Sequence, residues 1–98
     1  MAEALNNVVP LPGVVPAGMA RVNITFAGEN GDLPDPVAYD LADAAVRRIA
    51  SESLLGGSIP GIARVETPDL GDFVVDRFPA TAELPARLFV RPKVPFGA

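Results

Sequence analysis

The chain contains no cysteine, no histidine and no tryptophan, and it has a single tyrosine and a single lysine, Lys93. Without thiols there is no disulfide, thiolate zinc site, iron–sulfur cluster or cysteine nucleophile. Without imidazole there is no histidine general base, and Ser51, Ser53 and Ser58 have no partner from which to build a triad. No run of apolar residues approaches the length of a membrane span. The first residues lack a basic n-region and a continuous apolar h-region, because Pro10, Pro12 and Pro16 interrupt them. The expected location is therefore cytoplasmic. No G-x-G-x-x-G or Gly-Lys-Ser/Thr pattern is present to cradle a phosphate.

What remains is an aliphatic, acidic chain. Its 98 residues suffice for one domain with a modest core. Hydrophobic residues make up 49% and charged residues 20%, the balance of a globular protein. The formal net charge of −4 repels phosphate backbones and anionic lipid, so neither nucleic acid nor membrane is an expected partner.

Residues 1–19 read as a Pro-rich apolar arm in which Val8, Val9, Leu11, Val14 and Val15 alternate with prolines and glycines. Proline disfavours helix and central strand, leaving an extended, polyproline-like conformation. Such an arm is either a disordered leader or a segment that docks on a neighbouring subunit and supports an oligomer. The alternation of Arg21 to Phe26 predicts a strand burying Val22, Ile24 and Phe26. Gly28 to Asp32 is dense in turn formers, and Val37 to Tyr39 predicts a second, antiparallel strand. A helix is expected between Leu41 and Leu55, capped by Asp40 or Asp43 and closed by Gly56-Gly57. Its apolar face holds Ala42, Ala45, Val46, Ile49, Ala50 and Ser53. Ile59 and Ile62 are expected to plug the core. Phe73 to Phe78 predicts a third strand, Pro79 to Pro85 a loop, and Leu88 to Arg91 a fourth strand. The stretch from Ala63 to Leu70 carries no clear signal. The domain proper spans 20–91, and 92–98 is a stiff C-terminal tail. The fold class is α+β: one helix on a mixed four-stranded sheet, with the first and last strands side by side and parallel.

This ββαββ order resembles the β-grasp fold of ubiquitin-like proteins over roughly residues 20 to 98. Arg21 to Phe26 and Val37 to Tyr39 resemble its first two strands, and Asp43 to Ile49 has the spacing of its helix. Gly57-Ser58-Ile59-Pro60 is similar to the exit from that helix, and Leu88 to Arg91 to the last strand, which runs into an exposed tail. The resemblance implies a module that docks partners on its open sheet face. It also implies a modifier joined through its C-terminus after an activating enzyme adenylates the carboxylate. The family tail ends in Gly-Gly, whereas this chain ends Phe96-Gly97-Ala98, so the reactive end would be Gly97 once Ala98 is lost.

Arg77, Arg87 and Arg91, on or beside the last two strands, make a basic patch for an acidic partner if they share one face; otherwise they are solvated residues that discourage edge pairing. Phe96 in the tail is a candidate anchor for a partner pocket. Asp69, Asp72 and Asp76 lack the dense oxygen-ligand spacing of a calcium loop, and Asn30, Asp32 and Asp35 read as turn formers, so no metal and no cofactor are expected. The sequence thus points to a non-enzymatic ubiquitin-like protein-interaction module. The alternative is a structural subunit that reaches neighbouring copies through its Pro-rich tails.

Overall fold

The computed structural model describes residues 15–93. It contains β1 (Met19–Phe26), β2 (Glu29–Asp32), β3 (Val37–Ala38), α1 (Asp43–Gly56), β4 (Phe73–Phe78) and β5 (Ala86–Pro92). The helix packs on one mixed sheet of five strands, not four, in the order β2-β1-β5-β4, with β3 pairing the beginning of β1. The two central strands, β1 and β5, run parallel in register from Ala20–Ala86 to Ile24–Val90, as expected. Every other pairing is antiparallel.

The extra strand comes from Glu29–Asp32, where the density of Gly, Asn and Asp had suggested a turn. The turn is confined to Ala27 and Gly28, whose φ values of 52° and 82° are both left-handed. That is the signature of a two-residue hairpin whose twist matches its strands, and it lets Glu29 pair at once with Phe26. Gly31 is needed for a different reason. A β-carbon there would stand 2.4 Å from the Pro60 carbonyl oxygen and 2.7 Å from Ile59 Cγ2, so the loop after α1 closes directly onto β2. β1 begins at Met19 and β5 extends to Pro92, so the sheet takes in the end of the arm and the start of the tail.

Alternation places Ala20, Val22 and Ile24 of β1 and Ala86, Leu88 and Val90 of β5 on the helix side, all buried. Val46, Ala50 and Leu54 of α1 lie four apart and close on them. Leu33, Ile59, Ile62 and Leu70 fill the remainder, which bears out Ile59 and Ile62 as plugs. Phe26 stacks on Phe73 at 6.0 Å along the same layer. At roughly 25 cal/mol per Å² of apolar surface removed from water, each large aliphatic here contributes about 1.5–3 kcal/mol.

Both helix ends are defined locally. At the C-terminus Gly57 takes φ 68°, its amide donates to the Leu54 carbonyl, and the Ser58 amide donates to the Ser53 carbonyl, a Schellman closure. The N-cap is Ala42, with no side-chain cap, so neither Asp40 nor Asp43 fills that role. Asp43 is instead the first helical residue, and its carboxylate is taken by Arg77.

Candidate functional site

The strand parity that builds the core also defines the opposite surface. Arg21, Asn23 and Thr25 of β1 and Arg87, Phe89 and Arg91 of β5 point away from the helix. Register adds Asn30 and Asp32 from β2, opposite Thr25 and Asn23, and Val74, Asp76 and Phe78 from β4, opposite Arg91, Phe89 and Arg87. None of these residues is buried, and among the described residues no element packs over them.

This open face has two zones. Over β1 and β2 it is a self-satisfied polar network. The Asn23 amide donates to Asp32 Oδ1 (2.8 Å) and Asn30 Oδ1 (3.1 Å), while the Asn30 amide donates to Asn23 Oδ1 (2.7 Å) and Thr25 Oγ1 (3.0 Å). Over β5 and β4 it is cationic and aromatic. Phe78 and Phe89 meet edge to face at 5.3 Å, and the Arg87 guanidinium lies 5.5 and 5.4 Å from the two ring centroids. Each such contact is worth about 0.5–1 kcal/mol at an exposed site. Phe78 remains 43% exposed. Arg91 donates to Asp76 Oδ2 at 2.6 Å and is thereby neutralised.

Between the zones, Arg21 and Arg87 are register partners on the two central strands. They sit side by side on one face, with the strands about 4.8 Å apart. Like charges so placed repel. Among the described residues the ion pairs are Arg77–Asp43 and Arg91–Asp76, so neither of these two arginines has a carboxylate partner there. Arg87 Nε is also buried and has no hydrogen-bond acceptor among the described residues. A buried donor left unmet costs about 1–3 kcal/mol.

The three arginines singled out from the sequence therefore do not form one patch. Arg87 and Arg91 share the open face. Arg77, register partner of the buried Leu88, points to the helix side. Its guanidinium donates to the Tyr39 and Leu41 carbonyls and to Asp43 Oδ1, each at 2.5 Å. It ties β4 to the start of the helix and is not available to a partner. The strand Phe-Val-Val-Asp-Arg-Phe has two adjacent valines and no clean alternation, so its parity was not readable without the register. Arg21, Phe78 and Phe89 were missed. The signal for Arg21 was present: alternation places it opposite Val22, and a parallel neighbour brings it beside β5.

Gly97 and Phe96 lie outside the described residues, as does most of the N-terminal arm. Where the arm enters the sheet, Val15, Pro16, Met19, Tyr39, Pro79 and Pro85 help line an apolar cavity of about 250 Å³. The aspartates considered for metal do not converge: Asp69 accepts from the Gly71 amide (3.0 Å), Asp76 is paired, and among the described residues no three acidic side chains come together. No helix among them is long and apolar enough to cross a membrane. No protein-family model, curated protein or solved structure matches the chain.

Proposed function

We propose that this chain is a non-enzymatic, ubiquitin-like β-grasp module that engages a protein partner through its open sheet face. The strand order supports the fold reading. Two hairpin-like arms flank a parallel central pair, with one helix linking the halves on one side, the arrangement a β-grasp requires. The observation that carries the functional reading is the aromatic and arginine cluster of Arg87, Phe78 and Phe89, over which no element of the described residues packs. Aromatic and arginine side chains dominate binding energy at protein interfaces. Conjugation through Gly97 is the covalent extension of this reading. It requires cleavage after Gly97, and adenylation of the new carboxylate by an activating enzyme.

The test is photo-cross-linking in the native host, with benzoylphenylalanine placed at Phe89 on the open face or at Glu52 on the exposed helix surface, and the mass of every adduct measured. Capture of a protein other than this chain at Phe89, and not at Glu52, supports the module. Adducts made only with further copies of the chain overturn it in favour of an assembly subunit. Loss of Ala98 with covalent joining independent of light adds conjugation.

A further inference from the structure

We infer that the partner segment carries a carboxylate, bound by the adjacent Arg21 and Arg87, flanked by an apolar side chain that rests on Phe78 and Phe89. This rests on the reading of the open face as the docking surface and names the chemistry that surface takes.

Two independent observations point to a missing anion. The first is the like-charge register pair on the central strands, with no carboxylate within the described domain to offset it. Of the nearby acids, Asp76 holds Arg91, and Asp32, held by the Asn23 amide, makes no ion pair with either arginine. The second is the Arg87 guanidinium, set against both rings with Nε sealed from solvent and unmet among the described residues, which leaves its terminal nitrogens as the donors open to an incoming acceptor. A planar carboxylate between the two guanidiniums removes their repulsion and offers acceptors to both, geometry that suits arginine better than any other cation.

Charge complementarity selects the occupant. A chain of net charge −4 is a poor polyanion receptor, and its cationic zone is short, bounded by Asp32 on β2 and Asp76 on β4. A single carboxylate fits between those bounds, whereas a phosphate backbone needs a continuous basic track. The rings supply what the carboxylate does not: an apolar surface that becomes dry when covered, where the ionic contact strengthens.

The test uses the full chain labelled with nitrogen-15, following backbone amides and arginine Nε–H signals. The probe is the N-acetylated, C-amidated tetrapeptide Leu-Asp-Leu-Glu, compared with its Leu-Asn-Leu-Gln twin. The account predicts shifts at Arg21, Arg87, Asn23 and Phe89 with the acidic peptide, and affinity at least about fivefold weaker for the twin. Arg21→Gln and Arg87→Gln each lose the preference while keeping a native amide spectrum, and Arg87→Lys restores part of it. Equal binding of both peptides, no binding at several millimolar, or tighter binding of a hexathymidylate overturns the inference. A protein adduct at Phe89 in cells without carboxylate preference in this titration sinks the anion site alone. Adducts confined to Glu52 sink the docking face itself.

Discussion

Arg77 and Arg87 lie on neighbouring antiparallel strands, one register step apart, yet they face opposite sides of the sheet and live under opposite conditions. On the helix side, Arg77 meets two carbonyls and a carboxylate and is only 25% exposed. On the open side, Arg87 meets two rings and a second arginine. The first environment gives the guanidinium a carboxylate and two carbonyl acceptors and so ties β4 to the start of the helix. Among the described residues the second leaves charge and a donor unmet, which is costly for the isolated domain. Composition alone gives the two residues the same role; parity and register separate them.

The comparison is sharpened most by substitutions made on the helix side. Leu88→Ala, at a fully buried position of a central strand, is expected to destabilise by about 2–5 kcal/mol in chemical denaturation, and with it every surface that depends on the sheet. Gly31→Ala drives a β-carbon into the Pro60 carbonyl and is expected to cost at least about 2 kcal/mol, or to displace the loop after α1, visible as amide shifts around Ile59. Arg77→Gln leaves the Tyr39 and Leu41 carbonyls without their donor. Its expected cost is about 1–3 kcal/mol, with little dependence on salt because the bonds to the carbonyls carry most of it.

Substitutions on the open side should hardly register in stability. Asp76→Asn breaks an exposed pair that is worth at most about 1 kcal/mol and is screened by salt, and it frees Arg91 to add to the cationic zone. Arg87→Gln is expected to fall within about 0.5 kcal/mol of the wild type, since loss of the two ring contacts is offset by removal of the unmet donor and of the repulsion from Arg21.

The architecture was largely legible because it rests on local periodicity. The alternation of Arg21 to Phe26, the uninterrupted stretch before Gly56-Gly57 and the aliphatic runs near the C-terminus each specify an element. The mixed sheet with a parallel centre follows from connecting them. What was not legible depended on events between residues distant in sequence. Glu29–Asp32 is poor in strand formers and becomes a strand because the Ala27-Gly28 turn and the Ile59-Pro60 contact hold it against β1. Asp43 is a good capping residue by type but is drawn away by an arginine 34 positions later. The candidate site was half legible. The three arginines form a patch only if they share a face, a condition that Arg87 and Arg91 meet and Arg77 does not, and the aromatics went unnoticed because a phenylalanine in a strand is more often core than surface.

The most direct test is a paired measurement on Arg77→Gln and Arg87→Gln: the melting temperature of each, together with its yield of partner cross-links from benzoylphenylalanine at Phe89 per folded molecule. The account predicts that Arg77→Gln lowers the melting temperature by roughly 10 °C, the scale for about 2 kcal/mol in a domain this small, and cross-links normally while folded. It predicts that Arg87→Gln melts like the wild type and loses most of its cross-linking. The reverse pattern, or equal loss of cross-linking in both, would contradict the division between a structural arginine on the helix side and a recognition arginine on the open side.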